Sequence, residues 1–169
     1  MSQEEDIKKI LKKLEDIEGR LQKLEKPAGE ERKEEEPKRG KPEQAVKKLA
    51  EKINVSEEEV WKVFDVEEDR LTLINIIGKN HKEKTKNAAL LVLLGYKYFF
   101  GKKNVLSQEI KRNVADNRIP VNGYSTYIKE LTPTFISKKG KPGSKITTCR
   151  LTTFGEAEAR EVLKKICKG

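Results

Sequence analysis

The sequence predicts a mainly α chain with one small β-hairpin, an α+β fold, preceded by an N-terminal coiled-coil helix. Three observations carry that expectation. Residues 4–26 place Ile or Leu at all six a and d positions of three heptads. Helical apolar spacing recurs in several segments after residue 42, separated by turn residues. Late in the chain, TPTFISKKGKPGSKITTCRLT reads as two short strands around a Gly/Pro tip.

In the first helix Ile7, Leu14 and Leu21 fall at a, and Ile10, Ile17 and Leu24 at d. In a parallel assembly Lys13 at g faces Glu18 at the following e of a partner, and Arg20 faces Glu25. The Ile7/Ile10 pair favours trimers, and Leu14/Ile17 favours trimers or tetramers. Leu11 at e widens the stripe, so a helix docked on its own domain stays open as the alternative. Residues 1–26 are therefore expected to be an oligomerisation helix that Pro27 ends. Residues 27–42 hold Pro, Gly and charge without a large apolar side chain, the composition of a flexible charged linker.

Residues 43–80 form a small accessory segment. EQAVKKLAEKI is amphipathic, with Asn54 as a stop. Ser56 followed by Glu59 is a capping box opening a second helix, to which Val60, Trp61, Val63 and Phe64 supply apolar contacts. Glu57, Glu58 and Glu59 would repel phosphates, and the segment carries a net −3, so packing or protein contact is expected here. RLTLINII (Arg70 to Ile77) reads as a strand whose partner is not readable, another subunit included.

From residue 81 the pattern tightens. AALLVLLGYKYFF is apolar on every helical face and should be buried, with Gly95 admitting another helix. Ser107 suits an N-cap for a helix to about Asp116, with Ile110 and Val114 inward and Lys111 and Arg112 outward. ADNRIP, containing Arg118, is a turn. In a helix over 122–131, Val121, Tyr124, Ile128 and Leu131 face inward. Asn122, Ser125, Thr126 and Lys129 face outward, with Tyr127 on the flank; Asn122 suits capping as well as contact. Lys138, Lys139, Lys141 and Lys145 crowd the hairpin tip. On the return strand Thr147, Cys149 and Leu151 share one face and Arg150 takes the other.

VLSQEIKRNVADNRIPVNGYSTYIKEL, the basic hairpin and the closing LTTFGEAEAREVLKKI follow one another as helix, turn, helix, hairpin, helix. In that order, and in its Leu-Thr-x-x-Gly-x-x-x-Ala run, the region resembles the winged helix-turn-helix superfamily. The resemblance covers Val105 to Leu163, about a third of the chain; with the buried helix before it as the first helix of the module, the domain is expected over residues 81–169. The resemblance implies binding of double-stranded DNA, with the hairpin as a wing along the backbone or into the minor groove. In helix-turn-helix docking the N-terminal part of the second helix meets base edges.

Charge points the same way independently. The chain carries +9, and residues 101–155 hold eleven Lys/Arg against three acids, a net of +8. No P-loop, dinucleotide fingerprint or paired His/Cys/Asp constellation occurs, so an enzyme, a cofactor and a metal site are not expected. His81 reads as a surface residue. Cys149 and Cys167 make no disulfide framework or zinc pattern, which fits a reducing cytoplasm. The N-terminus lacks an apolar signal core, and the run Ala88 to Leu94 is far below the about 20 residues that span a bilayer. The expected function is an oligomeric transcriptional regulator that binds duplex DNA. A protein-interaction or assembly module and an architectural nucleic-acid-binding protein are the alternatives.

Overall fold

The computed structural model describes residues 7–8, 10–17, 41–141 and 144–169. Leu21, Leu24, the Lys13–Glu18 and Arg20–Glu25 pairings, the Pro27 stop, residues 27–40 of the expected linker and Pro142 and Gly143 of the expected wing lie outside the described residues. The chain divides into two units, Met1–Glu36 and Pro37–Gly169. In the first, residues 7–8 and 10–17 are helical, and Ile7, Ile10, Leu11, Leu14 and Ile17 are exposed.

The second unit is mainly helical with two small antiparallel sheets, an α+β arrangement. Helix α1 (Pro42–Ile53) starts with Pro42 in its first turn and buries Ala45, Val46, Leu49, Ala50 and Ile53. Asn54, left-handed at φ 55°, ends it and donates its N–H to the carbonyls of Ala50 and Glu51. The expected capping box opens α2 (Glu57–Trp61). Ser56 Oγ accepts from Glu59 N at 3.3 Å, and Glu59 Oε2 accepts from Ser56 N at 3.1 Å.

The helical reading of Val63 and Phe64 does not hold. Phe64–Glu67 is strand β1, and it pairs antiparallel with β2 (Arg70–Leu73), Phe64 opposite Leu73 and Glu67 opposite Arg70. The missing partner of the second strand is thus the chain's own preceding segment. The strand is also shorter than expected, ending before the exposed Ile74.

Helix α3 (His81–Phe100) runs through the middle of the unit, capped by Asn80 Oδ1 on Glu83 N at 2.9 Å and closed by left-handed Gly101. Every residue from Ala88 to Tyr96 is buried. Gly95 does admit a close neighbour, but that neighbour is the β1–β2 hairpin and not a helix. A Cβ there would stand 2.5 Å from Leu71 Cδ2 and 3.2 Å from Phe64 Cε1. The hairpin and residues 81–169 share one hydrophobic core.

After α3 come β3 (Val105–Leu106), α4 (Ser107–Asp116), α5 (Tyr124–Leu131), β4 (Ile136–Lys139), β5 (Thr148–Leu151) and α6 (Thr153–Lys168). The second sheet has the order β3-β5-β4, antiparallel throughout, with Val105 opposite Cys149 and Ile136 opposite Leu151. The LTTFGEAEA run has a clear local cause. Thr152 caps α6 by accepting from Gly155 N at 3.0 Å, and Thr152 N donates to Phe135 O at 3.0 Å. A Cβ on Gly155 would fall 1.8 Å from Phe135 O, so only glycine lets the helix start against that turn. Ala159, one turn on, is fully buried.

Helix α4 is fastened to the open edge of β2 by side chains. Asn113 accepts from Leu73 N at 2.9 Å and donates to Leu71 O at 3.2 Å, while Asn117 donates to Leu73 O at 2.9 Å. These amides take the place of a third strand at that edge.

Candidate nucleic-acid interface

Three elements of the candidate interface meet at Ser107. Its N–H donates to Thr147 O on the hairpin at 2.9 Å. Its carbonyl accepts from Tyr124 Oη, the first residue of α5, at 3.0 Å, and its Oγ lies 3.2 Å from the same hydroxyl. One residue thus ties the start of α4, the start of α5 and the tip side of the β4–β5 hairpin. Burial raises the Tyr124 phenol well above its ordinary pKa, so the hydroxyl stays protonated and keeps donating. The expectation that Ser107 is a side-chain N-cap is corrected. It is the first residue of α4, after Leu106, with no side-chain cap bond, because its oxygen is engaged with Tyr124.

Helix α5 begins two residues later than the expected 122–131. Gly123, at φ 80°, precedes it, and no side-chain cap bond is present there, so Asn122 is not a cap. The cause is Tyr127. Its ring lies over Gly123, where a Cβ would come within 2.9 Å of Cζ, and a left-handed glycine is what lets the chain turn beneath it. Tyr124, Ile128 and Leu131 are buried and Val121 half-buried. Asn122, Ser125, Thr126 and Lys129 are all exposed, and Tyr127 is half-buried between the two faces. Glu130, at the edge of the exposed face, is held by Lys86 at 2.5 Å and Lys82 at 2.9 Å. Those hydrogen bonds, Lys86 foremost, keep its carboxyl below the ordinary carboxylate range.

Some cations are paired, and others, at the candidate interface and elsewhere, are not. Arg70, Lys82, Lys86, Lys97, Arg112 and Arg160 are in ion pairs with carboxylates. Among the described residues, Lys111, Arg118, Lys129, Lys138, Lys139, Lys141, Lys145 and Arg150 are exposed and in no ion pair with a carboxylate. Arg112 stands apart from the other residues singled out in the sequence. It bonds Glu109 at 2.7 Å and Leu71 O at 3.1 Å, so it faces the hairpin rather than solvent. Arg118 sits in the α4–α5 turn with φ 57°.

On the β4–β5 hairpin Cys149 is buried, Leu151 half-buried and Arg150 exposed, as strand alternation requires, and Thr147, just before the strand, is buried as well. Burial raises the Cys149 thiol above its usual range. Arg150 stands opposite Ser137 across the strands. Both line an open cleft of about 340 Å³ with Lys97, Lys103, Thr152 and Thr153. Sequence reasoning had counted Lys103 only toward net charge; nothing local marks it as a neighbour of Arg150. Two further features escaped it, the role of the Thr147 hydroxyl and the exposure of Ile146. Thr147 anchors the turn through its hydroxyl, and Ile146 is 78% exposed beside the lysines.

His81 is exposed at the first position of α3. Among the described residues no group of three His, Cys, Asp or Glu could hold a metal ion, and no helix is long and apolar enough to cross a membrane. Comparison with family models, curated proteins and solved structures finds no match to this chain.

Proposed function

We propose that residues 81–169 act as a winged helix-turn-helix that binds double-stranded DNA, and that the chain is an oligomeric, cytoplasmic transcriptional regulator. The observation that carries this reading is the Ser107 junction. It joins the start of α5, whose outer face is polar and exposed, to a hairpin whose four lysines have no carboxylate partner among the described residues. In this reading α5 enters the major groove. Asn122 pairs with adenine edges, Lys129 reaches guanine, and Ser125 and Thr126 meet bases or phosphates. Lys111, Arg118, Lys138, Lys139, Lys141, Lys145 and Arg150 neutralise phosphates. Arg112 supports the interface from behind, by fixing α4 on the hairpin. The Ile7, Ile10, Leu14, Ile17, Leu21 and Leu24 seam assembles copies of the chain, so that weak sites add through avidity. No chemistry, cofactor or metal is required.

Thr126→Ala and Lys129→Ala test the reading. Each should weaken a selected duplex more than a random one, by up to about 1–3 kcal/mol of discrimination. Equal loss on both duplexes, measured by fluorescence anisotropy, would move those residues to the backbone. The assembly reading has one observation on its side. Phe154, 73% exposed, stands at a groove between α1 and α6. Retention of a protein partner, with no salt-sensitive binding of plain duplex DNA, would favour it.

A further inference from the structure

The cleft of about 340 Å³ beside Arg150 carries positive charge that nothing in its lining cancels. Lys97, Lys103 and Arg150 line it, and no Asp or Glu does. Lys97, in the last turn of α3, is bonded to Glu156, but that carboxylate is also bonded to Arg160, so two cations share one negative charge. Among the described residues Lys103 and Arg150 are in no ion pair. The elements around the cleft are held by other contacts. Arg150 lies on β5, the middle strand of its sheet, opposite Ser137. Thr152, where α6 starts, donates its hydroxyl to Thr134 O at 2.5 Å and accepts from Gly155 N at 3.0 Å. Lys103 follows the left-handed Gly101 that closes α3, where Lys102 N donates to Tyr96 O at 3.1 Å. Leu93, 2% exposed, and half-buried Leu151 add an apolar part to the lining.

Like charges around one concavity repel one another, and an anion between them removes that cost. The donor types suit an oxyanion: Arg brings a planar fork, Lys a point charge, and the hydroxyls of Ser137 and Thr153 line the same cleft. Its volume falls in the range of about 300–1,000 Å³ typical of small-molecule sites. A duplex is a convex rod far wider than such a cleft. It can bring a phosphate to the rim, but it leaves the apolar lining uncovered. We propose that this cleft binds a small organic phosphate, with the phosphoryl group on Lys103 and Arg150 and the carbon skeleton against Leu93 and Leu151. The site stands whether or not the chain binds DNA. Arg150 is common to both surfaces, so Lys103 is the residue that tells them apart.

Phenyl phosphate is the probe, titrated into the full chain at low salt by isothermal titration calorimetry. It should bind saturably at one site per chain, about fivefold or more tighter than inorganic phosphate, because its ring covers apolar surface. Lys103→Gln and Arg150→Gln should each weaken it about five- to tenfold, through loss of a charge-assisted hydrogen bond. Lys139→Gln, an exposed lysine that does not line the cleft, should leave it unchanged. Lys103→Gln should also keep the duplex affinity and its salt slope. Absence of saturable binding overturns the proposal, as does inorganic phosphate binding as tightly as phenyl phosphate. An equal loss in Lys139→Gln reduces the effect to general attraction by a basic surface and overturns it too. A loss of duplex binding in Lys103→Gln as large as its loss of phenyl phosphate gives the cleft to a backbone phosphate, again against the proposal. Wild type that binds phenyl phosphate but no duplex supports the cleft and sinks only the DNA-binding reading. Both substituted side chains are exposed, so thermal midpoints should stay unchanged and exclude misfolding as the cause of weakened binding.

Discussion

Asn113→Ala should separate the hairpin edge from α4, and its cost follows from the hydrogen bonds. Asn113 is fully buried, and its Oδ1 is the acceptor for Leu73 N–H. Removing it leaves that donor buried and unpaired, at about 1–3 kcal/mol. Leu71 O also loses a donor but keeps Arg112 Nη2 at 3.1 Å. Glu109 O loses the side-chain amide but remains an acceptor within the helix ladder. With the small void left behind, the total is about 2–4 kcal/mol. A loss of that size lowers the thermal midpoint by roughly 10 °C in a unit of this length. Asn117→Ala is the internal control. It removes a donor to Leu73 O and one to Asn113 O, which keeps the Asn117 backbone N–H, from a half-buried position, and should cost under about 1 kcal/mol. Urea unfolding of both variants makes the comparison. A loss for Asn113→Ala below about 1 kcal/mol, or equal losses for the two, would refute the side-chain closure of the edge.

Two further outcomes are expected. Deleting residues 1–26 should lower the sedimenting mass; an unchanged assembly would mean that the remainder of the chain associates by itself. Acid should destabilise the chain partly through Glu156, whose carboxyl burial raises but Lys97 and Arg160 bring to a net value below the usual range. A depressed folded pKa contributes stability above the unfolded value near about 4.3, lost as pH falls through the folded value. Glu156→Gln should therefore be less stable than wild type at neutral pH and converge on it below about pH 4; a constant gap across that range would contradict the pairing.

Local rules made much of the second unit readable. The Ser56–Glu59 box, the Asn54 stop and the all-round apolar Ala88–Leu94 run depend on neighbours within a turn or two, and each has the expected structure. The first hairpin strand was hidden because Val60, Val63 and Phe64 fall at i, i+3 and i+4, a helical spacing that here is shared between a short helix and a strand. Arg112 and Asn113 were illegible for a different reason. Their partners, Leu71 and Leu73, lie about forty residues earlier, and no local pattern links them. Tyr124 was legible as core, but not its hydroxyl's hold on Ser107, since periodicity reports burial and not where a polar tip ends. The exposed face of α5 was placed correctly by the inward residues alone.

The most direct test of the central proposal is the salt dependence of duplex binding, with and without the charges of the wing. Changing Lys138, Lys139, Lys141 and Lys145 to Gln keeps length and polarity. Each phosphate neutralised contributes about −0.9 to the slope of log affinity against log salt, and a hairpin tip should seat about two to three of its four cations. The slope should become shallower by roughly two to three units, with specific and random duplexes weakened by similar factors and folding stability changed by under about 0.5 kcal/mol. Binding that keeps both its strength and its slope would take the wing out of the interface and contradict the proposal that this surface receives DNA.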